Sequence, residues 1–296
     1  MRMEKTSIER QVHDWFQNRK LGKADIERER INKNIQSEKH RMVENRYMPF
    51  FGNPRAKLVY CNLNPGNANF SDGNEDSKLK QFILQYEKCL SSDSADELLY
   101  FLCNFGDFAS RQFNMKFDRK QLVFLYGFNE IANENGVDIG IEFQGEPNLD
   151  ETGLRAVVHN ESNQRNLFNN RLQLELIPYA SNKFETKKID SSILSEYFQK
   201  LLDEVFSAPR SFVLLQGGAY FELLKTVEGV ETISEQKMDS TNAQVFLYRI
   251  TRNRQSLIFI VAPTFQGRSV QSYMGGYSYG KFCASAIFQS QEQGYI

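Results

Sequence analysis

Histidine is scarce: only His13, His40 and His159 occur in 296 residues, and they are scattered along the chain. An imidazole-based metal site or a Ser-His or Cys-His nucleophile therefore finds no support. The four cysteines, Cys61, Cys89, Cys103 and Cys283, form no C-x-x-C pair and show no zinc or iron-sulfur spacing. They read as reduced thiols, at least three of them in the core. No run of 18 apolar residues exists, so no membrane span is expected. The opening MRMEKTSIERQ lacks an apolar h-region, so no signal peptide is expected and the protein reads as cytoplasmic. No G-x-G-x-x-G follows a strand, and neither a Walker sequence nor G-x-S-x-G is present. Dinucleotide, phosphoryl-transfer and hydrolase-elbow chemistries are unsupported, and neither cofactor nor metal is expected. A net charge of -1 and a pI near 6.4 remove any whole-molecule argument for nucleic-acid or membrane binding.

What is abundant is core material, with 41% hydrophobic and 13% aromatic residues. Charge is unevenly spread. Residues 1–46 hold twelve Lys/Arg against eight Asp/Glu, whereas residues 71–100 hold three against seven. The first segment reads as a basic helical arm with apolar positions Ile8, Val12, Trp15, Phe16, Ile26, Ile31 and Ile35, and residues 47–296 as an α/β domain. Continuous apolar runs predict strands at 56–63, LQLELIP, RSFVLLQGG, AQVFLYRI and SLIFIVA. Stretches of helical spacing alternate with them, the clearest being SSILSEYFQKLLDEVF. MPFFGNPRA reads as a turn, and residues 136–165 as polar and irregular. The pattern predicts a three-layer α/β/α fold around a mainly parallel sheet.

In such sheets ligands bind outside the carboxyl ends of the strands. That rule selects the loops 62–70, 177–184, 216–220 and 262–269, which are rich in Asn, Gln, Gly, Ser, Thr and aromatics. Two residues stand out. Glu175 interrupts an apolar strand, so it either serves chemistry or lies on an edge facing solvent or an arginine. Asn64 precedes Pro65 and Gly66, which fix an extended approach and permit close backbone contact by a ligand.

The stretch AKLVYCNLNPGNANF resembles the first motif of the uracil-DNA glycosylase superfamily, in the branch whose strand ends in Gly-Ile-Asn-Pro-Gly. LELIPYAS is similar to that family's second strand, and SFVLLQGGAYFELL to its strand-Gly-helix unit. The resemblance covers most of 47–270 and is strongest at 58–66. It implies that Asn64 holds the attacking water, with Glu175 adding general-base help. It implies a base pocket from Asn62, Pro65, Gly66, Asn67, Phe70, Tyr179, Thr264 and Phe265, the aromatics receiving a flipped base. Ser181, Lys183, Gly217, Gln266, Gly267 and Arg268 would then meet DNA. Two departures are plain. Asn62 stands where the family has Gly, and Ala262 where its last motif has His or Asn. They suit a remodelled pocket for a bulky modified base, as in superfamily members that attack phage DNA. The resemblance thus implies a monofunctional glycosylase that leaves an abasic site, with DNA as partner. The alternatives are an inactive DNA or nucleotide binder of the same fold, and a hydrolase of free nucleosides or sugar nucleotides.

Overall fold

A computed structural model of the chain describes residues 5–43, 47–63, 77–92, 94–104, 116–145, 149–181, 183–238, 243–262 and 272–292. The fold class is the expected one, α/β, consistent with a three-layer α/β/α arrangement around a seven-stranded sheet. The strands are β1 (Phe50–Gly52), β2 (Leu58–Asn62), β3 (Arg171–Glu175), β4 (Phe212–Gln216), β5 (Val230–Lys237), β6 (Gln244–Arg252) and β7 (Gln255–Ala262), in the order β1-β3-β2-β4-β7-β6-β5. All five predicted strands form. β4 and β7 pair in parallel, with Gln216 beside Ala262. The margins are antiparallel, β1 against β3 on one side and β7-β6-β5 on the other.

The chain divides into two compact units. The first comprises residues 1–55, 61–112 and 172–209, and the second 56–60, 113–171 and 210–296. In the first, α1 (Ser7–Lys20) starts from a capping box in which Thr6 and Glu9 satisfy each other's backbone N–H groups. Its apolar stripe Ile8, Val12, Trp15 and Phe16 is buried, so the described part of the arm contributes core to this unit. The Ile8 N–H donates to the carboxylate of Glu204, 2.6 Å away, on α8 (Ser191–Val205). A carboxylate at a helix N-terminus satisfies an orphan donor and complements the dipole. The α8 stripe buries all seven of its predicted apolar positions, from Ile193 to Val205. Also here are α2 (Ala24–Asn32), α3 (Ser77–Ser91) and α4 (Ala95–Cys103).

The second unit carries α5 (Lys116–Glu134), α6 (Glu151–His159), α7 (Glu161–Asn170), α9 (Ala219–Leu224) and α10 (Tyr273–Glu292). Residues 151–159 and 161–170 thus form two helices, where the stretch 136–165 reads as polar, irregular chain. Asp150 caps the first by accepting from Gly153 N–H, and Asn160 caps the second by accepting from Ser162 and Asn163. Helix α10, rich in Gly, Ser and Tyr, lies directly on α5. A Cβ added at Gly127 or Gly280 would collide with the Tyr277 or Phe124 carbonyl of the facing helix, so these glycines set the approach. The β6–β7 hairpin turns through Asn253 and Arg254, both at positive φ (49° and 66°), as a two-residue primed turn requires.

Cys61, Cys89 and Cys283 are buried and Cys103 is half-buried, all four unbridged. Burial pushes the Cys103 thiol up to about 12, so it is not a nucleophile at neutral pH. Among the described residues no helix is long and apolar enough to cross a membrane.

Candidate functional site

In the first unit the carboxyl ends of β2 and β3 continue side by side past the strands. The Leu176 N–H donates to the Asn62 carbonyl (2.9 Å) and the Ile177 N–H to the Leu63 carbonyl (3.0 Å). This registry sets Asn62 beside Glu175. The Asn62 side-chain amide donates to Glu175 Oε1 at 3.1 Å, and Gln173 donates to the same oxygen at 3.0 Å. Glu175 is only 7% exposed. A buried carboxylate is tolerated where such donors compensate its lost hydration. Strand β3 lies between β1 and β2, so the edge reading of Glu175 does not hold. Glu175 is instead the acceptor of an amide–carboxylate cluster where both strands end, and Asn62 is the last residue of β2, two positions before Asn64 in the sequence.

Alternation along β3 puts Arg171, Gln173 and Glu175 on one face, Leu172 and Leu174 on the other, and all five are buried. Arg171 belongs to the second unit, donating to Asp118 at 2.7 Å and to Gln121, with its guanidinium over the Phe168 ring. This polar end of the strand holds the fold by a buried ion pair.

Tyr179 is buried, meeting Tyr47 edge-on with ring centroids 5.3 Å apart, and Tyr47 stacks on Trp15 at 4.5 Å. Burial raises the Tyr179 phenol well above its ordinary range, so it remains a neutral hydroxyl. Ser181 is buried. Lys183 is exposed and ion-paired to Glu185 at 2.9 Å, which holds the Glu185 carboxyl below its usual range. The Lys183 carbonyl faces His40 Nδ1 at 2.8 Å and its N–H donates to the Lys39 carbonyl.

In the second unit, Gly217 follows β4 at φ 119°, a conformation that favours glycine, and its N–H donates to the Ala262 carbonyl at 2.9 Å. Asn64, Pro65, Gly66, Asn67, Phe70, Thr264, Phe265, Gln266, Gly267 and Arg268 lie outside the described residues. The structure therefore brings together Asn62 and Glu175, and adds two glutamines that sequence reasoning passes over. Gln173 joins their cluster. Gln216 ends β4, is 2% exposed, and among the described residues neither atom of its amide has a hydrogen-bond partner. Both carry the signal that exposes Glu175, a polar residue inside an apolar strand.

A cleft of about 490 Å³ in the second unit is lined by α5 and residues 138–145, including Glu130, Asp138 and Glu142. Its acids would repel phosphate, and it is built from no strand end, so the strand-end clusters are the better candidates. Among the described residues no group of three or more His, Cys, Asp or Glu could hold a metal ion. No family model, curated protein or solved structure matches the chain.

Proposed function

We propose that the protein is a DNA glycosylase that flips a base, modified in the preferred reading, out of DNA and hydrolyses its N-glycosidic bond, leaving an abasic site. The observation that carries this reading is the buried Asn62–Gln173–Glu175 cluster at the joint ends of β2 and β3, from which the chain enters Asn64-Pro65-Gly66. N-glycosidic cleavage passes through an oxocarbenium-like sugar and needs a held water and a stabilised leaving base. In this reading Asn64 holds the water. Glu175, through the Asn62 amide, fixes the start of that loop. Glu175 supplies general-base help only if its carboxylate reaches the water. The setting would be the cytoplasm and the target modified phage DNA.

Duplexes end-labelled and carrying uracil, 5-hydroxymethyluracil, 5-hydroxymethylcytosine or a glucosylated base, incubated with protein and then alkali, test the proposal. Alkali-labile sites at one base, lost in Asn64→Ala with the fold intact, are the expected result; no release from any duplex sinks the reading. One observation favours a second reading. Ala262, where the family carries a base-stabilising His or Asn, is buried and accepts the Gly217 N–H, leaving a methyl where a leaving-group stabiliser is needed. A chain of the same fold that binds DNA without excision would retain duplexes and leave no alkali-labile site.

A further inference from the structure

We propose that Gln216 is a base-contacting residue, its carboxamide pairing with the donor–acceptor edge of the extruded base; the identity of that ligand as a base rests on the glycosylase reading above. The strand it ends is otherwise apolar, Phe212-Val213-Leu214-Leu215, and all five residues are buried. A leucine at the fifth position would complete the core without leaving polar atoms unmet. A primary amide brings two donors and an acceptor, and when buried without partners it forfeits its hydration for nothing. Native structures leave few side chains in that state, and such exceptions mark a missing water, ion or ligand. Among the described residues neither Nε2 nor Oε1 of Gln216 has a partner.

Two further observations point to a ligand. Gln216 is the last residue of β4 and registers against Ala262, the last residue of β7, so it sits at the carboxyl end of a parallel pair, where open α/β sheets bind ligands. The following residues, Gly217 and Gly218, carry no side chain to meet the amide. Chemistry then narrows the ligand. A carboxamide presents N–H and C=O in one plane, which matches the paired donor and acceptor on a nucleobase edge; glutamine reads adenine in this bidentate way. A phosphate offers only acceptors and would leave the Gln216 carbonyl unmet.

Binding and stability should therefore respond in opposite directions. Gln216→Leu and the near-isosteric Gln216→Met remove a buried amide with no internal partner, so both variants should unfold at the same or higher urea concentration than the parent chain. The same variants should lose base affinity by roughly tenfold to a hundredfold, the worth of one bidentate pair. The direct probe is the side-chain NH₂ resonance pair of Gln216 in ¹⁵N-labelled protein, assigned by its absence in Gln216→Met. It is followed while free uracil, cytosine, adenine and 5-hydroxymethylcytosine are added separately. Saturable movement with one of them, together with unimpaired stability of the variants, is the expected result. Lower stability of both variants with no shift for any base would make the amide a structural group and overturn the proposal. Unchanged excision by Gln216→Met would overturn it too, while leaving the glycosylase reading intact. Conversely, no excision of any duplex by the parent chain, with the Gln216 resonances still shifted by a free base, removes the glycosylase reading and keeps Gln216 as a base-binding residue.

Discussion

Replacing Gly280 with alanine tests the packing of α10 on α5, because two effects of opposite sign compete there. Alanine favours a helix over glycine by about 1 kcal/mol, so an interior Gly→Ala change facing open space is stabilising. At Gly280 the new methyl would fall on the Phe124 carbonyl oxygen, with the carbonyl carbon and the Phe128 nitrogen each 2.9 Å away. These are backbone atoms of a helix and no rotamer change removes them, so the two helices must part. Overpacking of this kind costs about 1–3 kcal/mol, and more where backbones must shift. Taking the upper end against the gain in propensity leaves a net loss of about 2 kcal/mol, or about 4–8 °C in Tm for a chain of this size. Gly127→Ala meets the Tyr277 carbonyl in the same way and should behave alike. The internal control is Gly276, also in α10, where an added Cβ meets nothing nearer than Val123 Cγ1 at 3.5 Å, ordinary contact. Gly276→Ala should raise Tm by about 2 °C. Thermal unfolding followed by circular dichroism ranks the three variants. The reasoning fails if Gly280→Ala is as stable as the parent, or if Gly276→Ala loses as much as Gly280→Ala.

Arg171→Met should cost about 3–5 kcal/mol, since it strands the buried Asp118 carboxylate, and adding Asp118→Leu should restore most of it in urea titrations. Arg254→Gly at the second residue of the β6–β7 turn should stabilise the chain by up to about 1 kcal/mol, as arginine there holds φ at 66°; a loss of stability would show that the turn is not strained. Hydrogen bonds from Arg30 and then Lys200 lower the Glu196 carboxyl from 4.5 to about 2. A depressed folded-state pKa gives stability that is present above the unfolded value and lost as pH falls from about 4.5 towards 2. With Glu196 41% exposed, screening limits this to about 0.2–1 kcal/mol, and Glu196→Gln or high salt should shrink the acid-side loss. Lys183, exposed and ion-paired with Glu185, should give no borohydride-trapped adduct with DNA; an adduct lost in Lys183→Ala would transfer the role proposed for Asn64 to that amine.

The interior of the sheet was legible because strands covered on both faces read as unbroken apolar runs, and β2, β3, β4, β6 and β7 fall where those runs lie. The two margins were not. Strand β1 is three residues long and hides in a stretch that reads as a turn, while β5, VETISEQK, is polar and largely exposed, as suits an edge strand. The glycines of α10 disguise a helix because the low propensity that argues against it is offset by close packing on α5, which a single sequence does not display. In 151–170 the stripe was diluted by polar residues, yet Asp150 and Asn160 were readable as caps.

At the strand ends the sequence marks polar interruptions without saying what they meet. Glu175 and Arg171 look alike in that respect, each an ionisable group in a buried strand, yet their neighbours give them different work. Arg171 is bound by Asp118 and Gln121, buried groups on the first turns of α5, so its removal is an event of stability. Glu175 is bound by Asn62, a half-buried residue at the end of β2, so its removal should release the Asn62 amide before it unfolds the strand. Gln216 completes the series as the case with no partner among the described residues. Burial of a polar group costs about 1–3 kcal/mol unless something answers it. Where the described residues answer, the side chain holds the fold; where none of them does, as at Gln216, the group is open to the ligand proposed above. Glu175→Gln, which keeps an acceptor for Asn62, separates positioning from proton transfer. Retained base release in that variant would leave Glu175 as the anchor of the Asn64 loop, and release lost at full stability would make its charge part of the reaction.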